Sequence, residues 1–394
     1  MAKAEQKTTA ATGNAFVAEA YRQVAPDVVC AYPITPQTTI VEEFAKFVAK
    51  GKVHTEFVAV ESEHSSMSAS IGASAAGART MTATSSQGLA YMWEELHIAS
   101  GLRLPIIMTN TNRAISAPIN IHCDHSDVMG ARDTGWVILF AENAQEAYDH
   151  TIMSVRIAEE NSLPVMPTLD GFITTHSIAR AEVLDDESVA NFVGEFTPEH
   201  AMLAEGKPVT VGGFASLGNA YLEVKKAERE AIDASADSIL AIGKEFEELT
   251  GRPYAHIEGY GMEDAETAII ILGSSAGNAR AVAREMRAEG KKVGVIKIRT
   301  YRPFPSKEIA EMVKGCKAIA VLDRAESFGA PAGPLDLDCM SALYENNVML
   351  PLRPYIYGLG GADVRLDLIR SVYDDLEKAA AGEPSPGLVY LGAH

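Results

Sequence analysis

Short apolar, β-branched runs alternate with helix-length segments through the first 175 residues, and this alternation constrains the chain more than any other feature. Strands separated by helices pair in parallel, and a parallel sheet needs helices over both faces. The runs are Asp27–Ala31, Thr55–Val60, Arg79–Thr84, Pro105–Thr109, Val137–Ala141 and Pro164–Leu169. Sharp punctuation marks the helices between them. Thr35 stands before Pro36, a capping residue followed by proline at the first helical position, so a helix is predicted from there to Lys50, before Gly51. Ser62 caps a helix from Glu63 to Ala76, which Gly77 closes. Ser85–Gly88 reads as a loop and Leu89–Ala99 as a helix, while Asn143 and Glu146 form a capping box. The class predicted is α/β, with a doubly wound first domain over residues 1–176.

Past His176 the alternation breaks. Residues 177–264 read as a connector with one long amphipathic helix, from about Leu217 to Leu249. Tyr221, Val224, Ile232, Ile239, Ile242, Phe246 and Leu249 recur near helical spacing, and Gly251 and Pro253 end the segment. A second α/β module covers 265–394: strand Ala268–Leu272, loop Gly273–Gly277, helix Asn278–Ala288, strand Val293–Ile298, a helix near Lys307–Val313, strand Ala318–Leu322, and a helix near Val364–Lys378. At 394 residues and 47% hydrophobic, the chain can fill two or three cores.

Charge and composition exclude several functions. A net charge of -19 argues against nucleic acid and anionic membranes as partners. No run reaches transmembrane length, and the polar stretch Met1–Asn14 resembles no signal peptide or amphipathic leader, so a cytoplasmic location is expected. Cys30, Cys123, Cys316 and Cys339 are scattered with no Cys-x-x-Cys pair. That spacing provides neither a self-contained iron–sulfur or zinc motif nor a disulfide framework.

Candidate chemistry gathers where open α/β sheets bind ligands, at the C-terminal ends of strands. Glu61 and Glu63 stand at a strand-to-helix junction, ahead of a helix carrying Ser66, Ser70, Ala73 and Gly77. Such a helix admits a planar ligand; equally, it permits tight helix packing, with the carboxylates favouring the helix N-terminus. Tyr32–Pro36 brings Thr35, and the loop Asn110–Asn120 brings Arg113, whose guanidinium can grip a carboxylate in bidentate fashion. Alternatively Thr35 is a cap and Arg113 pairs with Asp124 or Asp127. His122, Asp124, His125 and Asp127 could hold a metal, although no further ligands are evident. In the second module, Gly273–Asn278 could cradle a phosphate with Arg299 meeting a ribose phosphate, as in an NADP site. The loop matches neither Gly-x-Gly-x-x-Gly nor a Walker A sequence, and a tight structural turn is the competing reading. The charges of Asp323–Gly329 read as interface pairs.

Taken in order, Tyr32-Pro33-Ile34-Thr35-Pro36, Glu61-Ser62-Glu63-His64, Thr84-Ser85-Ser86-Gln87-Gly88, Asn112-Arg113-Ala114-Ile115-Ser116-Ala117-Pro118-Ile119-Asn120 and Asp124-His125-Ser126-Asp127 resemble the alpha chains of the pyruvate:ferredoxin oxidoreductase (2-oxoacid:ferredoxin oxidoreductase) family. The resemblance spans nearly the whole chain. It implies a pyrimidine-type thiamine-diphosphate-binding domain over 1–176 and a transketolase C-terminal-like domain over 265–394. It gives Glu63 the role of the carboxylate that hydrogen-bonds the aminopyrimidine and favours the tautomer that removes the thiazolium proton. Glu61 becomes a neighbour, and Thr35 and Arg113 become substrate-binding residues, with Arg113 taking the 2-oxo acid carboxylate. The implied reaction is oxidative decarboxylation, with the acyl group passing to coenzyme A and electrons to ferredoxin. The Gly-Asp-Gly…Asn-Asn pattern that holds metal and diphosphate is missing: Leu169-Asp170-Gly171-Phe172 is a partial echo, and Asn346-Asn347 lies in another module. The cofactor is therefore expected to be shared. A beta-type chain would carry the diphosphate site, Mg2+ and a 4Fe-4S cluster, a ferredoxin-like delta-type chain more clusters, and a gamma-type chain would complete the complex, with external ferredoxin as acceptor. Pyruvate is the expected substrate; a branched-chain 2-oxo acid differs by only ~1–3 kcal/mol per methylene. An NADP-dependent dehydrogenase and an inactive scaffold subunit are the other readings.

Overall fold

The computed structural model describes residues 3–198, 201–204, 206, 209–215 and 217–393; Met1 and Ala2, the start of the polar N-terminal stretch, lie outside the described residues. In chain order the first elements are β1 (Gln6–Thr12), α1 (Gly13–Val24), β2 (Val28–Ala31), α2 (Thr38–Ala49), β3 (Glu56–Ala59), α3 (Glu63–Ala76), β4 (Thr80–Thr84), α4 (Ser86–Tyr91), α5 (Trp93–Gly101), β5 (Ile106–Asn112), α6 (Ser126–Ala131), β6 (Val137–Ala141), α7 (Ala144–Asn161) and β7 (Val165–Asp170). Next come β8 (Ile178–Leu184), α8 (Asp186–Val193) and the long α9 (Ala220–Thr250). The second module holds β9 (Ile257–Tyr260), β10 (Thr267–Leu272), α10 (Ser275–Ala288), β11 (Val293–Ile298), β12 (Thr300–Arg302), α11 (Ser306–Val313), β13 (Ala318–Asp323), α12 (Pro334–Glu345), β14 (Leu352–Ile356), α13 (Leu366–Ala380) and β15 (Val389–Tyr390).

The first sheet has the order β12-β6-β7-β5-β4-β2-β3 and the second β15-β14-β13-β10-β11-β9. Each is parallel except for one antiparallel edge strand, β12 in the first and β9 in the second. The α/β class and doubly wound layout are those expected from the alternation. Several elements were not. The polar N-terminal stretch forms β1, which pairs antiparallel with β8 from Gln6 opposite Leu184 to Thr12 opposite Ile178. Its partner is too far along the chain, and its residues too polar, for local patterning to reveal it. The 177–264 stretch holds β8, α8 and β9 besides the long helix, and β9 borders the second sheet. β12 leaves the second module to cover the edge of β6.

Three helix starts also shift. Ile34 makes a tight turn first, its carbonyl accepting from the amides of Gln37 (2.8 Å) and Thr38 (3.0 Å), so α2 begins at Thr38 and Thr35 is not its cap. The buried Asn14 amide of α1 holds that turn by donating to the Pro36 carbonyl at 2.7 Å. The predicted loop Ser85–Gly88 is helical from Ser86, and α10 begins at Ser275, inside the predicted Gly273–Gly277 loop.

Packing joins the modules. Ile138, Phe140 and Met166 on one face of the first sheet share a core with Ile270, Ile296 and Tyr301 of the second module, the Phe140 and Tyr301 rings meeting edge-on at 5.8 Å. On the opposite face, α9 lays Ile239, Ile242 and Phe246 into the core built on α1 and α7. A buried ion network lies across the same junction. Lys297 Nζ is 2.8 Å from both Glu142 and Glu146, and Arg299 Nη2 is 2.9 Å from Glu146 and 2.8 Å from Glu258. Burial alone would raise the Glu146 carboxyl, but Arg299 and Lys297 hold it well below the usual carboxylate range. Arg299 is therefore committed to this network rather than open to a ribose phosphate.

Candidate active site

In the first sheet the chain passes from β2 to β3 on one side and then returns to β4 on the other. That reversal is a topological switch point, where the connections diverge and leave a crevice beyond the C-terminal strand ends. The turn Ile34–Gln37 after β2, the start of α3 after β3, the start of α4 after β4 and Arg113 after β5 all stand on this edge. Thr35, Glu63 and Arg113 thus lie on one rim.

Glu63 is the first residue of α3. The extended Ser62 caps the helix, its hydroxyl accepting from the Ser65 amide at 3.1 Å. The two carboxylates of the junction part here. Glu61 is exposed, and its hydrogen bond from the Ser65 hydroxyl holds its carboxyl below the usual range. Glu63 turns inward and is 9% exposed. It lies against Gly88 of α4 so closely that a Cβ there would stand 2.8 Å from Glu63 Oε1 and 2.5 Å from Thr84 Oγ1. Glycine at 88 therefore leaves room for the carboxylate. Thr84 Oγ1, on the other side of Gly88, is buried without a hydrogen-bond partner among the described residues, as is Gln87 Nε2 in the same turn of α4. The small residues of α3 pack tightly as well: Ser66 donates to the Cys30 carbonyl at 3.0 Å and Ser70 to the Ser66 carbonyl at 2.8 Å.

Arg113 is 7% exposed and pairs with neither Asp124 nor Asp127. Its guanidinium donates through Nη1 to the Thr35 carbonyl (2.9 Å) and through Nε to the Asn120 carbonyl (3.2 Å). Burial pushes its pKa down, because no carboxylate compensates the lost water directly. The structure thus brings Thr35 and Arg113 into contact through the main chain of Thr35, whose residue is exposed. Asp127 holds the rim together from beneath. Its Oδ2 accepts from the amides of Ser86 (2.9 Å) and Arg113 (3.1 Å) and from Asn110 Nδ2 (3.1 Å), tying α4 to the end of β5. Burial pushes its carboxyl up to about 6.

The two His and two Asp of residues 122–127 do not converge as a metal site. Asp124 Oδ1 accepts from the Ser126 amide (3.0 Å), His122 bonds Asn120, and His125 points into the interior, its Nε2 2.9 Å from Asp170 Oδ1. Cys123, His125 and Asp170 do offer buried donor atoms within 4.8 Å of one another. However, Asp170 is already taken up by Asn112 Nδ2 (3.2 Å), Arg324 Nη1 (3.2 Å), and the amide (3.0 Å) and hydroxyl (2.5 Å) of Ser274. Against the effect of burial, His125 and Arg324 hold its carboxyl far below the usual range. The partial echo Leu169–Phe172 is thus an interdomain clasp. The loop Gly273–Asn278, weighed as a phosphate cradle, receives the protein's own carboxylate, so the structural-turn reading holds. Asp323 and Arg324 are buried, not interface pairs, although Phe328 in the same loop is 94% exposed.

Comparison with known proteins gives the family. Residues 19–242 match the family "Pyruvate flavodoxin/ferredoxin oxidoreductase, thiamine diphosphate-binding", and residues 265–369 match "Pyruvate:ferredoxin oxidoreductase core domain II". The chain is 52% identical over 368 residues to pyruvate synthase subunit PorA of Thermotoga maritima, covering 93% of each chain. It is 44% identical over 372 residues to pyruvate synthase subunit PorA of Methanocaldococcus jannaschii, covering 93% of this chain and 94% of that one. The chain belongs to the pyruvate flavodoxin/ferredoxin oxidoreductase family. A solved 2-oxoglutarate:ferredoxin oxidoreductase from Magnetococcus marinus, with 2-oxoglutarate, coenzyme A and succinyl-CoA bound, superposes with a TM-score of 0.71 at 21% identity. That match covers 93% of this chain and 65% of the solved chain, and it establishes a shared fold. The switch-point rim, with Thr35, Glu63 and Arg113, lies within the thiamine-diphosphate-binding match.

Proposed function

We propose that this chain is the alpha subunit of a pyruvate:ferredoxin oxidoreductase, and that its switch-point rim is the pyrimidine half of a thiamine diphosphate site completed by a partner chain. The observation that carries the reading is the buried Glu63 carboxylate in the slot beside Gly88, with the unpartnered Thr84 hydroxyl against the same glycine. Buried polar atoms without partners are rare in folded proteins and point to a ligand that supplies the missing bonds. A flat ring bearing nitrogen donors and acceptors fits such a slot.

When bound, thiamine diphosphate supplies the carbon nucleophile and electron sink that decarboxylation of a 2-oxo acid requires. Glu63 is the residue that would hydrogen-bond a ring nitrogen of the bound cofactor and hold a proton there, and its low exposure would strengthen that bond by excluding water. Arg113 grips the substrate carboxylate. Two of its donors are already fixed on the Thr35 and Asn120 carbonyls, so the guanidinium is oriented before substrate arrives and a carboxylate compensates its burial. The exposed Thr35 supplies a hydroxyl beside it.

The remaining parts belong to other chains. This sequence has neither a diphosphate motif nor a cysteine cluster. A beta-type chain with the diphosphate, Mg2+ and a 4Fe-4S cluster, a delta-type ferredoxin-like chain with further clusters and a gamma-type chain complete the enzyme, with coenzyme A as co-substrate and external ferredoxin as acceptor. No helix among the described residues is long and apolar enough to cross a membrane, and we assign the complex to the cytoplasm.

The test is coenzyme A-dependent reduction of a viologen dye by the purified complex, run in parallel with pyruvate, 2-oxoisovalerate and 2-oxoglutarate. The highest kcat/KM is expected for pyruvate, and a preference for either other acid overturns the substrate assignment. Glu63→Gln should assemble normally yet lose most turnover; near-normal activity would remove Glu63 from its role.

A further inference from the structure

We propose that the second domain forms part of the substrate site: the turn Gly358–Gly361 positions the loop that aims Arg113, with Asn120 and Gly360 as positioning residues. This inference rests on Arg113 gripping the substrate carboxylate. One of the two carbonyls that orient the guanidinium belongs to Asn120, which lies in the irregular connection between β5 and α6. The outer part of that connection faces outward, with Ile119 77% exposed, so the placement of the Asn120 carbonyl depends on what anchors the loop.

The neck is closed within the first domain, where the Ala114 amide donates to the His122 carbonyl at 3.0 Å and the Ile115 amide to the Ser126 hydroxyl at 3.1 Å. The far side is held by the second domain. Asn120 Nδ2 donates to the Gly360 carbonyl (2.9 Å), the Gly361 amide to the Cys123 carbonyl (2.7 Å), and the Gly360 amide to Asp124 Oδ2 (3.2 Å). The approach is close enough to require glycine. A Cβ at Gly360 would stand 2.3 Å from Asn120 Nδ2 and one at Gly361 2.5 Å from His122 Cβ, and both residues have positive φ, +57° and +80°. The turn is itself anchored: Arg324 Nε donates to the Gly358 carbonyl (3.1 Å), while Arg324 Nη1 reaches Asp170. A chain of contacts therefore runs from the interdomain clasp through Gly358–Gly361 and Asn120 to the guanidinium.

Asn120→Asp separates this role from a local one. Its Oδ1 accepts from the His122 amide at 2.8 Å, a bond that aspartate keeps, but aspartate cannot donate to the Gly360 carbonyl. In the assembled complex, Asn120→Asp and Gly360→Ala should each raise KM for pyruvate by roughly 3- to 10-fold, the effect of losing one orienting hydrogen bond, without a matching rise in KM for coenzyme A. The double variant should be less than additive, because both changes cut the same link. An unchanged pyruvate KM in Asn120→Asp, or equal losses for both substrates, overturns the inference. Arg113→Lys is the control. If it leaves KM for pyruvate unchanged, the reading of Arg113 fails; if it raises KM while the two positioning variants do not, the inference alone fails.

Discussion

Gly88→Ala is a sharp probe of the site, because local and tertiary reasoning predict opposite outcomes. Gly88 lies inside a helix, where alanine is intrinsically better by about 1 kcal/mol, so propensity alone predicts stabilisation. The surroundings reverse this. The new Cβ would lie 2.5 Å from Thr84 Oγ1, 2.8 Å from Glu63 Oε1 and 2.9 Å from Glu63 Cγ. Thr84 is fully buried and β-branched, with few rotamers to retreat into, so α4 must shift away from it at residue 88 and the Glu63 carboxylate on the other side must give way. Reaching an ordinary 3.4 Å contact displaces it by about 0.6 Å. Overpacking of this kind costs about 1–3 kcal/mol, enough to cancel the propensity gain. A misplacement of about 1 Å at a reacting group costs on the order of 100-fold, so kcat should fall by roughly 10- to 100-fold. Steady-state dye reduction by the complex gives kcat, and thermal unfolding gives the stability change. In a Glu63→Gln background the substitution should add less than about twofold, since both act on one carboxylate. A variant with higher Tm and near-normal kcat would refute the slot as the place where Glu63 works.

Asp170→Ala should destabilise the chain by about 3–5 kcal/mol, because Arg324 and His125 would stay buried without their shared partner; Asp170→Asn should cost less, and denaturant unfolding distinguishes the two. Arg113→Lys should raise KM for pyruvate by about tenfold or more in the same dye assay, since a single ammonium nitrogen lacks the planar fork that can face a carboxylate in bidentate fashion while Nε and Nη1 stay on the Asn120 and Thr35 carbonyls. Burial pushes Asp323 up to about 8 and Asp336 up to about 7, both from 3.8. Between the unfolded and folded values the folded chain keeps protons that the unfolded chain has lost, so stability should decline as pH rises from about 4 to about 8 and level off above that. Asp336→Asn should flatten that decline between about pH 4 and 7, as read from Tm, and leave the part above pH 7 to Asp323.

The core of the first domain was legible because its signals are local. β-branched runs mark buried strands, Ser62 and Asn143 mark helix starts, and Gly77 marks an end; the structure keeps all three. Thr35 misled because a proline after a threonine describes a cap equally well as a turn, and Asn14 of α1, 22 residues from Pro36 in the chain, decides for the turn. Arg113 was found by residue type, but its acceptors are main-chain carbonyls that side-chain pairing rules do not anticipate. The polar strand β1 and the Gly358–Gly361 turn went unread for a related reason: each is defined by a distant partner.

By itself, the sequence determined the α/β class, the positions of Thr35, Glu63 and Arg113 near strand ends, and the lack of a diphosphate motif, since each depends on residue type and spacing. Tertiary structure decided which carboxylate of the Glu61–Glu63 pair turns inward, that Asp170 fills the glycine-rich loop as a clasp, and that the second domain braces the loop beside Arg113. Those outcomes depend on which groups lose water together. That is a property of contacts between residues far apart in the chain, where one glycine's missing Cβ or one buried carboxylate's partners determine what a site can hold.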